Sequence, residues 1–288
     1  FYVDYNLLNA MHTTSLFMKI EPECIPCNIN FGIKISRRLD DVNLREIINL
    51  VSEFIGKDVT PADIGTRVWK FLTNGLKNSD LFKKEKRLSN RIVKSLISKL
   101  NVKSLSFNSA VKLAVIGNAF DIVPPHSPKK INIRKLVKQK LVIDERKSLK
   151  RVLNGATSVL YLSDNAGEIG FDYILIEKLR KMGIKIFLTV KKYPLVNDAT
   201  ISDAKYFGLE KSTTLLPLPA KFGVRKSDIP ADVLNLVDVI IAKGQANYET
   251  VSEEEWHVPV AYLLKAKCVV VARNFKVPIG SNICKVVL

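Results

Sequence analysis

Histidine, cysteine and long apolar runs are scarce in this 288-residue chain. Its three histidines, His12, His126 and His257, include no pair at zinc-ligand spacing, which argues against a zinc hydrolase. Four cysteines are too few for a disulfide framework and point to an intracellular, cytoplasmic setting. No apolar stretch approaches the roughly 18 residues of a membrane helix. A Gly-x-Ser-x-Gly elbow, a Walker loop and a strand-borne Gly-x-Gly-x-x-Gly are all missing, so a serine hydrolase, ATP or a dinucleotide has no support. Acid is also in deficit, with 28 Asp and Glu against 45 Lys and Arg and a formal charge of +17.

That positive field attracts anions of every size, yet it reads equally well as a lysine-rich solvated surface. Clusters such as Lys83-Lys84-Glu85-Lys86-Arg87 and Lys129-Lys130 fit the second reading. A nucleic-acid module would show interleaved aromatics, and none is visible. Hydrophobic residues make up 47% and charged residues 25%, which describes a globular chain of one large or two ordinary domains. Residues 1–18 read as an upstream extension or added residues, because Met18 offers a more natural start.

Residues 19–105 carry helical spacing and read as a helical subdomain. Leu44, Ile47, Ile48, Val51 and Ile55 form one apolar stripe. Thr60-Pro61 followed by Asp63 is a helix start, and Ile64, Val68, Phe71 and Leu72 continue its face. Arg91 to Leu100 repeats the pattern. Residues 106–288 change to a rhythm of strand, loop and helix. Strands are predicted at Leu113–Ile116, Ser158–Leu162, Ile184–Val190, Thr213–Leu218, Val237–Ala242 and Cys268–Ala272. A helix with an apolar face of Phe171, Ile174, Leu175 and Leu179 follows the second strand and stops at Gly183. The expected fold is a three-layer α/β/α arrangement with a mostly parallel, Rossmann-like sheet.

Polar groups of one kind recur just after these strands. They are Gly117-Asn118 with Asp121, Asp164-Asn165 with Glu168, Asn197-Asp198-Ala199-Thr200 with Asp203, and Lys243-Gly244-Gln245 with Asn247. Ligands of open α/β sheets bind beyond the carboxyl ends of the strands. Asp164, Asn165 and Asp198 offer the oxygen donors that a hard divalent cation prefers. Lys243 beside Gly244 reads either as a phosphate clamp or as a strand lysine turned outward, and the nearby Asp-Asn pair favours the clamp. Cys24 and Cys27 enclose Ile-Pro and read either as a structural or redox pair or as half a metal site; Cys268 reads as a buried strand residue.

Taken in order, Cys24-Ile-Pro-Cys27, Gly117-Asn118-x-x-Asp121, Asp164-Asn165-Ala-Gly-Glu168, Asn197-Asp198-Ala-Thr200 with Asp203, and Lys243-Gly244-Gln-Ala-Asn247-Tyr248 resemble the metal-dependent damage-control phosphatases. The paired cysteines are similar to the archaeal-type branch. The resemblance implies hydrolysis of phosphate monoesters of small metabolites with magnesium, manganese, cobalt or nickel. By motif position it implies metal ligands at Asp164, Asn165 and Asp198, with Asn118, Lys243, Gly244 and Asn247 on the phosphate side. Asp164 would be central to catalysis, Asp121 or Glu168 would orient the attacking water, and the amides of the Gly167 turn would add dipoles. The eukaryotic branch has an acid where Gln245 stands, so its substrate preference does not carry over. Two other classes stay in view: an S-adenosylmethionine-dependent carboxyl methyltransferase, for which the Gly-rich loop is missing, and a basic nucleic-acid-binding protein.

Overall fold

The computed structural model describes residues 18–39, 43–74, 76, 80–118 and 138–288. Residues 1–17 of the predicted extension, Asp121, His126 and Lys129-Lys130 therefore lie outside the described residues, whereas Met18 is described and buried. Among the described residues five helices come first: α1 (Cys24–Ser36), α2 (Leu44–Ser52), α3 (Pro61–Leu72), α4 (Lys83–Ile97) and α5 (Phe107–Gly117). Alternation follows: β1 (Leu141–Asp144), α6 (Arg146–Asn154), β2 (Ser158–Leu162), α7 (Glu168–Lys181), β3 (Lys185–Lys191), α8 (Ile201–Tyr206) and β4 (Thr214–Leu218). The remainder comprises α9 (Ala231–Leu234), β5 (Val239–Lys243), α10 (Gly244–Val251), β6 (Val260–Lys265), α11 (Val269–Asn274) and β7 (Asn282–Val287).

The seven strands form one sheet in the order β1-β7-β6-β5-β2-β3-β4. Every pairing is parallel except β6 with β7. Strands β2 and β5 are buried along their whole length, as near-continuous apolar runs in parallel sheets are. Their alternate residues serve two cores. Val159, Tyr161, Val239 and Ile241 pack with α5, α6 and α7, while Leu160, Leu162, Ile240 and Ala242 pack with α10 and α11. These are the three layers expected from sequence.

The Thr60 start is realised in full. Asp63 N–H donates to Thr60 Oγ1 at 3.3 Å and Thr60 N–H donates to Asp63 Oδ2 at 3.0 Å, a reciprocal capping box. The stripe on α2 is only half used: Ile47 and Val51 are buried, whereas Leu44 is 45% exposed and Ile48 42%. Two predicted strands are helices. Leu113–Ile116 belongs to α5, which starts where Ser106 Oγ accepts Ser109 N–H at 3.1 Å, because a short apolar run cannot distinguish a buried strand from a buried helix. Cys268–Ala272 falls in α11, with Cys268 as its N-cap, so Val270 and Val271 are buried while Val269 faces out. The strands at β1, β6 and β7 were not predicted. Strand β1 is an edge of four residues, and β7 is the antiparallel member.

Candidate active site

Sheet order makes the crevice. From β2 the chain moves outward through β3 and β4, then returns to place β5 on the other side of β2. This reversal is the topological switch point, where open α/β sheets bind ligands. The segment Ser163–Gly167 leaves β2 there, and Lys243-Gly244 ends β5 beside it.

Backbone pairing brings two distant motifs together. Ala166 N–H donates to Asn197 O at 2.8 Å and Ala199 N–H donates to Asp164 O at 2.8 Å, setting Asn165 opposite Asp198 in an isolated antiparallel bridge. Lys191 N–H donates to Ala199 O at 2.8 Å and ties the same segment to β3. Val196, just before it, has φ +42°, a genuine outlier for a β-branched residue. The strain is held because Leu195 and Val196 pack with Trp69 and Phe82 of the helical region.

Side chains then converge on Asp164. Its Oδ2 accepts Asn118 Nδ2 at 2.7 Å and Asn165 Nδ2 at 2.9 Å. Asn118 Nδ2 also reaches Glu168 Oε2 at 3.0 Å, while Asn118 Oδ1 accepts Lys265 N–H at 3.2 Å. Asn118 thus arrives from the C-cap of α5, not from a strand end. Gly244 has φ +78°, and a Cβ there would stand 2.0 Å from Asp164 Oδ2, so only glycine permits this approach. Gly167 is equally constrained, with φ +77° and a would-be Cβ 1.9 Å from Ser89 Oγ.

Lys243 is fully buried. Its Nζ contacts Glu168 Oε1 at 2.5 Å and Asp172 Oδ1 at 2.6 Å, and Tyr161 Oη donates to Asp172 Oδ1 at 2.8 Å. Burial disfavours the ammonium, yet Asp172 and Glu168 outweigh it and hold the Lys243 pKa above its ordinary value. Burial pushes Asp172 up to about 6, against the pull of Lys243. Burial, then Glu168 and Asp198, push Asp164 well above the usual carboxylate range, while Lys267 and Lys243 oppose the rise. Lys191, buried 3.8 Å from Asp198 Oδ2, is lowered by burial although Asp198 and Asp164 favour its charge.

Asn118, Asp164, Asn165, Glu168, Asp198, Lys243 and Gly244 are therefore all at the switch point. Asn247 lies beside them, but its Nδ2 donates to Lys243 O at 2.7 Å and Ser163 O at 3.0 Å, clamping the ends of β5 and β2. The expected dipoles of the Gly167 turn are largely spent: Gly167 N–H donates to Asn90 Oδ1 at 2.7 Å and Ala166 N–H to Asn197 O. Asp172, Tyr161 and Asn90 were missed. Glu168 and Asp172, four residues apart on one helix, were a readable signal for a shared partner.

Four clustered carboxylates, Asp164, Glu168, Asp172 and Asp198, face two buried ammonium groups, Lys191 and Lys243. A divalent cation fits that excess of negative charge, and the donors are hard oxygens. Among the described residues no group of three or more His, Cys, Asp and Glu is arranged to hold a metal ion, so amide oxygen or water must complete the shell. Magnesium-like ions accept such a set, with one or two carboxylates and several waters. The cysteines offer no rival centre on this criterion. Cys24 is buried and Cys27 exposed, both are free thiols, and burial pushes Cys24 up to about 11. Cys268 comes within their electrostatic range from the far end of the sequence.

A carboxylate-rich crevice at the switch point of a mostly parallel sheet is where an α/β enzyme carries its active site. The chain belongs to the ARMT1-like damage-control phosphatase family: the family's domain description, "Damage-control phosphatase ARMT1-like domain", matches residues 20–283. It is 36% identical to the damage-control phosphatase PH1575 of Pyrococcus horikoshii over 93% of this chain and 98% of that protein. A damage-control phosphatase of Archaeoglobus fulgidus is 30% identical over 94% of this chain and its entire length. The crystal structure of the Pyrococcus protein, described as a DUF89 family protein, superposes with a TM-score of 0.80 at 34% identity, covering 93% of this chain and 98% of that one.

Proposed function

We propose that this phosphatase hydrolyses phosphate monoesters of small metabolites with a divalent cation held by Asp164, Asn165 and Asp198. One observation carries the reading: the Asn165–Asp198 bridge brings two oxygen-bearing motifs to Asp164 inside a crevice with an excess of buried negative charge. When bound, the cation would supply Lewis acidity to the phosphoryl group and lower the pKa of a water. The donor chemistry suits magnesium or manganese, with cobalt and nickel as further candidates.

The chain's own residues do the rest. Asn118 and Asn165 fix the Asp164 carboxylate by two donated hydrogen bonds, which keeps its remaining oxygen available. Glu168 is the base at hand, and Lys243 sets its position. Lys243 therefore acts on the phosphate through Glu168 and Asp172, both of which it already neutralises, and not as an exposed clamp. Gly244 keeps the β5 end close to Asp164 without a side chain, leaving room for an anion. No helix among the described residues is long and apolar enough to cross a membrane.

The test is phosphate release from a panel of phosphorylated metabolites by protein stripped of metal and then reloaded. Turnover should require the added cation and disappear in Asp164→Ala, while the variant's circular dichroism stays that of the parent. Phosphate release by stripped protein, or by Asp164→Ala, would contradict the assignment.

A further inference from the structure

A cavity of about 710 Å³ opens between α4 and α8, and none of Asn118, Asp164, Asn165, Glu168, Asp198, Lys243 and Gly244 lines it. Its volume is that of a small-molecule site. Lys83, Lys86 and Arg87 line it from successive turns of α4, with Asn90 farther along that helix and Ser202 and Asp203 opposite. Lys86 is buried, and its charge is met by Asp80 at 3.1 Å and Asp203 at 3.4 Å. Lys83 and Arg87 are exposed at the rim and make no ion pair with a described residue. Three cations thus oppose two carboxylates around one cavity. The positive end of the 15-residue helix α4, with no side-chain cap on its first turn, adds to the imbalance.

We propose that this cavity is a second anion site, separate from the catalytic crevice, for a small phosphate-bearing molecule held by Lys83, Arg87 and Ser202. Its inner wall is mechanically joined to the crevice. Asn90 Nδ2 donates to Asp203 Oδ1 at 2.7 Å, and Asn90 Oδ1 accepts Gly167 N–H at 2.7 Å. Asp203 Oδ2 in turn accepts Thr200 N–H at 2.9 Å and Thr200 Oγ1 at 2.6 Å. The wall therefore holds the turn after Asp164 and the segment after Asp198 together. An anion that drew Lys86 away from Asp203 would act on both segments through these bonds, which is the arrangement of an effector site.

The probe is pyrophosphate, titrated calorimetrically into the full chain without divalent metal. The parent should bind it in a salt-sensitive manner. Lys83→Glu with Arg87→Glu should weaken binding at least tenfold, and the milder Lys83→Ala with Arg87→Ala should weaken it less; these exposed side chains can change without disturbing the core. Asp164→Ala should bind as the parent does, which separates this site from the crevice. The proposal is overturned if the parent does not bind pyrophosphate, if binding survives charge reversal, or if it is lost in Asp164→Ala. A failure of the phosphatase assay leaves these outcomes unaffected.

Discussion

Gly244→Ala isolates one contact on which the crevice depends. Two costs are predicted, and they can be separated. An L-residue at φ +78° pays about 1–2 kcal/mol of backbone strain. The new Cβ would also stand 2.0 Å from Asp164 Oδ2 and 2.3 Å from its Cγ, far inside contact distance. Asp164 cannot swing away freely, since Asn118 and Asn165 hold that oxygen at 2.7 and 2.9 Å. Relief therefore requires Asp164 or the β5 end to move by about an ångström, a displacement that costs about a hundredfold in rate when it misplaces a reacting group. Gly208→Ala is the matched control, because Gly208 has the same φ of +78° with nothing within 4 Å of its would-be Cβ. Gly208→Ala should lose only the strain, a fall in Tm of about 2–8 °C at 2–4 °C per kcal/mol, with turnover intact. Gly244→Ala should melt lower still and lose about two orders of magnitude in kcat/KM. Equal melting points with full activity in both variants would refute the claim that the glycine exists to admit Asp164.

Lys243→Met should be among the most damaging single changes, because it leaves Glu168 and Asp172 buried without their cation; a loss of about 3–5 kcal/mol is expected from chemical denaturation. Asp172→Asn, which keeps shape and removes one charge, should cost less, and the reverse order would show that Lys243 is not the anchor. Glu249 gives a pH signature: burial pushes it up from 4.5 to about 7. An acid raised in the folded state costs nothing where both states are protonated, and the cost grows as pH climbs from about 4.5 to about 7. At about 1.4 kcal/mol for each pH unit, it reaches on the order of 3 kcal/mol above that range. Glu249→Gln should therefore stabilise the protein at pH 8, leave it nearly unchanged at pH 4, and flatten the stability profile between them.

The central strands and the crevice were legible because local chemistry determined them. A run such as Ser158–Leu162 can only be buried, and Asp164-Asn165 at its end has nowhere to go but the switch point. Cap residues were equally readable, as Thr60 shows. Elements whose character depends on remote partners were not. Leu113–Ile116 is apolar on every side whether helix or strand, and only its packing against α7 and the sheet decides. Asp172 looked like the polar face of a helix, although it is buried against Lys243, a residue 71 positions later. The bridge between Asn165 and Asp198 is a backbone event that no side-chain pattern announces.

Strand β7 sits inside the sheet, flanked by β1 and β6, and Leu141 is registered against Asn282. Among the described residues no other strand hydrogen-bonds to β1, which consequently has no strand to dock on until a segment far downstream has been synthesised and inserted. Assembly of that border is bound to come late and slowly, as the closure of so long an intervening loop demands. Until then β6 presents an unsatisfied rim, open to capture by a neighbouring chain. Yield during expression should thus hinge on how swiftly the final strand slots home.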